Sequence, residues 1–125
     1  MADEIIPDDL QDFILRYIDS IGQLEALLLL RAHADQAWDV NRAAARLYAG
    51  EAETAEFLAR LCADGLLCCN DGLFRYVCQS PDQQGMVDRL AEAYARHLIP
   101  VTNLVHAKPR RIREFADAFR FRKDR

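Results

Sequence analysis

Apolar residues in the middle of the chain recur at intervals of three and four, the spacing that places side chains on one face of a helix. Two short helices are predicted there, separated by a turn at Ala49-Gly50-Glu51, and Asp64-Gly65 ends the second helix. The apolar positions are Val40, Ala43, Ala44 and Leu47 in the first helix and Ala55, Leu58 and Leu61 in the second.

A β-hairpin is predicted directly after these helices. The segments Leu66–Cys69 and Leu73–Cys78 are short, β-prone runs on either side of Asn70-Asp71-Gly72. A glycine-containing turn between two such runs favours a hairpin. The central part of the chain therefore predicts helix, turn, helix and hairpin in that order.

Two further helices are predicted before this unit. The first covers 8–19, with Asp8 or Asp9 as its cap, and its apolar face carries Leu10, Phe13, Ile14, Tyr17 and Ile18. A capping box of Ser20 and Gln23 opens the second, a leucine-rich helix whose wide apolar surface predicts the centre of the core.

The residues that follow the leucine-rich helix predict its junction with the next one. Trp38 is expected to pack beneath this junction, with a role as a partner-binding anchor as the alternative. Asp39 is expected to cap the helix that starts after it.

A long helical segment over 80–107 follows the hairpin. Ser80-Pro81-Asp82-Gln83 predicts its start, with a serine cap, a proline in the first turn and a glutamine placed for a capping box. Pro100 lies inside the segment and predicts a kink or break near 96–99, because proline lacks an amide donor and strains the preceding turn.

Apolar and aromatic residues of this segment form a heptad-like seam. The seam consists of Val87, Leu90, Tyr94, His97, Val101 and Leu104. Two interpretations remain open: a homodimer interface, or packing against the first helix within one chain. His97 is expected to be a packing residue rather than a metal ligand.

The final segment, 108–125, predicts a basic amphipathic helix. Ile112, Phe115, Ala116 and Phe119 share one face, and the cations available for partner contact are Lys108, Arg110, Arg111, Arg113 and Arg120. The alternative is a solvated face whose arginines pair with Glu114 and Asp117.

Two stretches of the central unit resemble those of small bacterial winged helix-turn-helix regulators of the MarR, PadR and ArsR kind. They are Ala44-Ala-Arg-Leu47 and Phe57-Leu-Ala-Arg-Leu-Cys-Ala-Asp-Gly-Leu-Leu67, and the resemblance covers about half of the chain. It implies a mainly α fold with a small β-hairpin, in which an N-terminal helix and C-terminal helices are added to a winged helix over 20–79. It also implies a DNA-binding transcription regulator. The ending at 115–123 is similar to that of a group of small bacterial proteins, and this likeness implies no activity.

The charges of the central unit are unusual for DNA binding. The helix expected to enter a major groove would expose Glu53, Glu56, Arg60 and Asp64, whereas phosphate neutralisation supplies most of the affinity of DNA-binding proteins. The tip of the hairpin is acidic as well. The cations left to contact phosphate are Arg42, Arg46, Arg60 and Arg75.

Charge also divides the chain into an acidic body and a basic end. Residues 1–107 carry a net charge of −9 and residues 108–125 a net charge of +5, within a total of −4. This asymmetry indicates an anionic partner for the end of the chain, or an end that folds back onto its own body.

Composition and length predict one domain over 1–125, because 51% of the residues are apolar and 29% are charged. An acidic amino terminus without a long apolar run predicts a cytoplasmic protein that is not in the membrane. The four cysteines lack zinc spacing and are expected to be buried, apolar thiols rather than a redox or metal site; they are Cys62, Cys68, Cys69 and Cys78.

Two functions are therefore expected as alternatives, and neither is enzymatic. No glycine-rich phosphate loop, histidine pair or nucleophile motif is present in the sequence, which predicts no catalytic site and no cofactor. The first function is a dimeric, DNA-binding winged-helix regulator. The second is a protein-interaction module on the same scaffold, which docks on a larger assembly through its apolar C-terminal helix and basic face; the acidic helix and hairpin favour it.

Overall fold

A computed structural model describes residues 6–107 of the chain. It contains six helices and two strands: α1 Asp8–Tyr17, α2 Ile21–Ala32, α3 Val40–Leu47, α4 Glu51–Ala63, β1 Leu67–Asn70, β2 Leu73–Tyr76, α5 Pro81–Arg96 and α6 98–107. The prediction of a mainly helical protein with a small hairpin is confirmed. The predicted helix over 108–125 and its cations, Lys108, Arg110, Arg111, Arg113 and Arg120, lie outside the described residues.

The two strands form an antiparallel hairpin, with Leu67 opposite Tyr76 and Asn70 opposite Leu73. The turn between them has positive φ at both Asp71 (56°) and Gly72 (76°), as a type I′ turn requires. Trp38 forms an isolated β-bridge with Phe74 on the other side of β2. The Trp38 amide donates to the Phe74 carbonyl (2.8 Å), and the Phe74 amide donates to the Trp38 carbonyl (2.7 Å). The hairpin is thus attached to the segment that precedes α3.

One hydrophobic core joins the helices and the inner face of the hairpin. Its fully buried side chains include Leu24, Leu27 and Leu30 of α2, as expected for the central helix. At the start of α2, a Cβ placed on Gly22 would lie only 2.7 Å from the Phe57 ring. The absence of a side chain at this position therefore lets α2 and α4 approach each other closely.

The inward face of α4 differs slightly from the prediction. Thr54, Leu58 and Leu61 are buried, whereas Ala55 is only half-buried, so the prediction for Ala55 is wrong. Residues at these spacings of four and three follow one stripe along the helix, and Ala55 lies beside that stripe.

Three helices carry the side-chain caps that the sequence predicts. The Oγ of Ser20 accepts from the Gln23 amide (3.1 Å), the carboxylate of Asp39 accepts from the Arg42 amide (2.7 Å), and Ser80 caps α5 in the same way. These bonds satisfy amides that a helix start leaves without an internal partner.

Both predicted capping boxes are incomplete, because each glutamine makes a contact outside its own box. Gln23 accepts from the Asp19 amide (2.6 Å) and donates to the Tyr17 carbonyl (3.1 Å), which connects the end of α1 to the start of α2. The Nε2 of Gln83 donates to the Asp64 carbonyl (3.1 Å) and so connects α5 to the end of α4.

The predicted carboxylate cap of α1 is wrong. Pro7 precedes the first helical residue, and no side chain of the described residues 6–107 caps the helix. The carboxylate of Asp9 instead accepts two hydrogen bonds from the Arg89 guanidinium on α5, at 2.8 and 2.9 Å. Its Oδ1 also accepts from the adjacent Leu10 amide (2.8 Å), so the tertiary pairing adds to a local contact that is not a helix cap.

The break predicted near Pro100 is confirmed. α5 ends at Arg96, His97 is not helical, and α6 begins at residue 98. Pro100 therefore lies in the first turn of α6, where its missing amide costs no internal hydrogen bond. Val101 and Val105 of α6 complete the core.

Three residues of the predicted seam are fully buried within this one chain: Val87, Leu90 and Val101. The other three, Tyr94, His97 and Leu104, are half-buried. This burial favours internal packing of the seam, and the homodimer stays a prediction. Among the described residues, no helix combines the length and apolarity needed to cross a membrane.

Candidate interaction surface

The arginines expected to bind phosphate on α3 surround a buried tryptophan. Trp38 is fully buried, and the Arg42 guanidinium carbon lies 3.9 Å from the centre of its ring. The guanidinium carbon of Arg46 lies 5.6 Å from the same ring. A guanidinium over an indole face is attracted by the ring quadrupole, so both cations help to cover the core.

Further contacts hold the Arg42 side chain in place. Its Nη1 donates to the Ala37 carbonyl (3.3 Å), and its Nη2 donates to the side-chain oxygen of Gln36. To bind a phosphate with its full set of donors, Arg42 would have to release these two partners.

The arginine on α4 is shared between two carboxylates. Arg60 lies 3.5 Å from a carboxylate oxygen of Asp19 and 3.5 Å from one of Asp64. Exposed ion pairs of this kind contribute little to stability. They nevertheless cancel the positive charge of the only cation on α4.

The fourth predicted arginine, Arg75, is exposed on the outer face of the hairpin. It lies opposite Cys68 in the register and lines a shallow cleft of about 300 Å³ with Leu73 and Val77. Asp71 lines the same cleft, so this cation is beside a carboxylate at the hairpin tip. The four predicted arginines thus have different surroundings. Among them, only Arg42 and Arg46 share a contact within the described residues, which is the Trp38 ring.

The exposed side of α4 carries acids instead. Glu51, Glu53 and Glu56 are all exposed. With its amide group oriented to satisfy its neighbours, Asn41 donates to both oxygens of Glu51 at 2.8 Å. Acids at a helix start are stabilised by the helix dipole, and they repel a phosphate in the same position.

An aromatic side chain lies at the turn between α3 and α4. Tyr48 is 97% exposed, and its backbone is left-handed with φ of 55°. This conformation is normally taken by glycine at the end of a helix. Sequence reasoning missed Tyr48; the signal was a large aromatic residue just after Leu47, the last apolar position of α3. We call Tyr48, Glu51, Glu53 and Glu56 the α4 acidic surface.

The predicted seam on α5 makes a polar contact as well. The Tyr94 hydroxyl donates to the Glu25 carboxylate on α2 (3.1 Å). Burial and this carboxylate raise the pKa of Tyr94 above its usual value. The exposed apolar residues nearby are Leu98 and Ile99 at the start of α6, which were not part of the predicted seam.

The cysteine prediction is wrong for two of the four residues. Cys68 and Cys69 are exposed on β1, while Cys62 and Cys78 are half-buried. Burial, together with the thiols of Cys69 and Cys68, raises the pKa of Cys62. Over residues 6–107, no group of three or more His, Cys, Asp or Glu side chains is arranged to hold a metal ion.

Comparison of the chain with known protein families, with curated proteins and with solved structures finds no match.

Proposed function

We propose that this chain is a winged-helix protein that uses the α4 acidic surface to bind a positively charged segment of a protein partner. The winged-helix assignment is supported by the order of α3, turn, α4 and hairpin. It is also supported by the bridge between Trp38 and Phe74, which adds a third extended segment beside β2.

The observation that carries the proposal is the exposure of Tyr48 at the turn before α4, followed by three exposed glutamates. Within residues 6–107 no cation pairs with these glutamates, and the arginines of α3 and α4 contact other groups. Glu51 contacts only the neutral amide of Asn41 among its described polar partners. Tyrosine supplies a large contact area at low entropic cost, and acids select a partner of opposite charge. A lysine or arginine side chain on the partner can meet the Tyr48 ring and a neighbouring carboxylate at the same time.

A binding measurement tests this proposal. The probe is a fluorescently labelled, arginine-rich helical peptide, titrated with the full chain and followed by anisotropy. We expect binding that weakens with salt, and we expect it to weaken further in Tyr48→Ala and in Glu53→Gln. Asp12→Asn is the matched control, because Asp12 is an exposed acid on α1, away from this surface.

The Tyr48→Ala variant separates a defined surface from simple charge attraction. It leaves the net charge unchanged, so a peptide attracted only by the acidic body would bind it as well as the wild type. Equal binding to the wild type, Tyr48→Ala and Glu53→Gln would contradict the proposal.

DNA binding is the second candidate, and two observations favour it. The first is the same helix-turn-helix and hairpin order, which is typical of proteins that place the second helix in a major groove. The second is the net charge of +5 over residues 108–125. Phosphate binding by that segment would give the chain an affinity that α4 does not supply.

Duplex DNA in the same assay separates the two functions. The protein-binding proposal predicts no measurable affinity for a labelled duplex at low salt. The DNA-binding alternative predicts affinity that falls steeply with salt concentration and that is reduced in Arg42→Ala, Arg46→Ala or Arg75→Ala. Such a result would replace the first proposal with the second.

A further inference from the structure

Exposed apolar side chains and two opposite charges lie together on the outer side of the hairpin. Because side chains alternate along a strand, Leu73 and Arg75 are on the side of β2 opposite the buried Phe74. Leu73 is 42% exposed, and Val77, which lines the same cleft, is 51% exposed. We call the residues lining this cleft the hairpin outer face; they include Cys68, Asp71, Leu73, Arg75 and Val77.

The two charges of this face are not paired with other groups of residues 6–107. Neither Arg75 nor Asp71 belongs to an ion pair there, whereas every arginine of α2, α4 and α5 does. The exposed apolar residues at the start of α6 differ in this respect, because the arginine before them, Arg96, already pairs with Glu92 at 3.4 Å. The hairpin outer face, unlike the start of α6, therefore presents charges that a partner could match.

The positions of these charges suit a second copy of the same chain. Asp71 precedes Leu73 by two positions and Arg75 follows it by two positions. A two-fold axis that passes between two Leu73 side chains, across the direction of the strands, places Arg75 of each copy beside Asp71 of the other. A ligand of a single charge, such as a phosphate or a basic segment, would match one of these groups and be repelled by the other.

We propose that the hairpin outer face is a homodimer interface, in which two copies pack hairpin against hairpin with Leu73 at the centre. This interface differs from the predicted seam, whose residues Val87, Leu90 and Val101 are already buried within one chain. It does not depend on the α4 acidic surface. Packing of this kind also covers Arg75, the only cation of the hairpin, and so removes the hairpin from contact with DNA.

Sedimentation equilibrium of the full, reduced chain tests the proposal. We expect a monomer–dimer equilibrium between micromolar and submillimolar concentrations. Leu73→Ser should weaken dimerisation by about tenfold or more, because an apolar side chain is lost from both copies. Leu98→Ser is the matched control, since Leu98 is an exposed leucine of α6 (50%) and should leave the equilibrium unchanged. A chain that stays monomeric, or a dimer that is weakened as much by Leu98→Ser as by Leu73→Ser, would overturn the proposal.

Two charge variants test the pairing between copies. Arg75→Glu should weaken dimerisation by about tenfold or more, because two ion pairs are replaced by two repulsive contacts. Asp71→Asn should weaken the wild-type dimer, but it should strengthen the dimer of Arg75→Glu, since it removes the acid that causes the repulsion. Asparagine also accepts the positive φ of this turn position. An effect of Asp71→Asn with the same sign in both backgrounds would show that the two residues do not meet.

Alkylation of the reduced wild-type chain gives an answer without any variant. Cys68 and Cys69 are both exposed, but Cys68 lines the hairpin outer face, whereas Cys69 pairs with Phe74 and is on the other side of β1. With a maleimide in excess, labelling of Cys68 should slow as the protein concentration rises, and labelling of Cys69 should not. Fragmentation of the labelled peptide distinguishes the two thiols. Rates at Cys68 that are independent of protein concentration would contradict a dimer at this face.

Discussion

Charged side chains of α5 are paired with those of neighbouring helices, whereas the exposed acids of α4 are not paired with cations among the described residues. On α5, Arg89 pairs with Asp9 of α1, Asp88 pairs with Arg31 of α2 at 2.9 Å, and Tyr94 binds a carboxylate of α2. These contacts cross between elements and are matched in charge. They flank the buried seam and fix where α5 lies.

On the α3–α4 pair both cations and acids are exposed, but the cations contact other groups of the chain. Arg42 and Arg46 cover Trp38, and Arg60 is held by aspartates. The exposed glutamates at the start of α4 have no such cation among their described contacts. Charges that are paired between elements are explained by their role in the fold. An excess of exposed charge of one sign has no such structural role, and it is therefore the better indication of a binding surface.

The largest expected effect is a loss of stability when Trp38, the buried residue beneath the α3 arginines, is replaced. Trp38→Ala should lower the free energy of unfolding by about 3–5 kcal/mol, since a fully buried indole leaves a cavity that the fold cannot close. Urea denaturation measures this. Trp38→Phe is the matched variant and should cost much less, because the buried indole Nε1 has no hydrogen-bond partner in the described part of the chain. Equal losses in the two variants would contradict this account.

A smaller loss is expected where α2 and α4 approach each other. Gly22→Ala should destabilise the protein by about 1–2 kcal/mol, because its Cβ would overlap the Phe57 ring. Gly85→Ala is the control: among the residues that the structure describes, no neighbouring atom lies within 4 Å of its added Cβ, so the better helix propensity of alanine should stabilise α5. Thermal unfolding of both variants checks the contrast, and a stabilising Gly22→Ala would show that no close contact exists.

Tyr48→Gly should separate stability from binding on the α4 acidic surface. Glycine adopts positive φ without a side-chain clash, so the variant should be more stable than the wild type by about 1 kcal/mol. The same variant should bind the arginine-rich peptide more weakly. Denaturation and anisotropy measured on one preparation test both halves, and a variant that gains stability without losing affinity would remove Tyr48 from the interface.

The smallest effect concerns the α1–α5 ion pair and depends on pH. Hydrogen bonding from Arg89 lowers the pKa of Asp9 below its ordinary value of 3.8. The unfolded chain therefore binds this proton at a higher pH than the folded chain does. The stabilisation is complete above pH 3.8 and is lost as the pH falls through the lowered pKa.

Melting temperatures of the wild type and Asp9→Asn across this range measure that effect. The difference between them should be present at neutral pH and should shrink in acid. Asp12→Asn, on the same helix, should show no comparable change. A difference that grows as the pH falls would have the wrong sign for this mechanism.

Local patterns predicted most of the secondary structure because the necessary contacts are only a few residues apart. Ser20, Asp39 and Ser80 cap helices through amides three positions away, and Asp71-Gly72 supplies the two positive φ angles that a tight hairpin needs. Pro100 likewise predicted the break at His97. None of these depends on how the elements pack.

The fate of individual side chains depended on packing and could not be predicted. Arg60 is neutralised in part by Asp19, which is 41 positions away in the sequence, and Asp9 pairs with Arg89, 80 positions away, in addition to the amide of its neighbour Leu10. The exposure of Cys68 and Cys69 on β1 likewise depends on how the hairpin packs. Composition had suggested buried thiols, since free cysteine is usually an interior residue.

Gly65 has a consequence for how the protein unfolds. Its φ is +83°, its carbonyl accepts from the Gln79 amide (2.9 Å), and a Cβ there would lie 2.5 Å from the Gln79 side chain. The end of α4 and the end of the hairpin are therefore joined at Gly65 and Gln79. The Gln83 contact to the Asp64 carbonyl lies beside this junction. Fraying of the hairpin should therefore loosen the start of α5 at the same time, so that amides in both segments exchange with solvent as one cooperative unit.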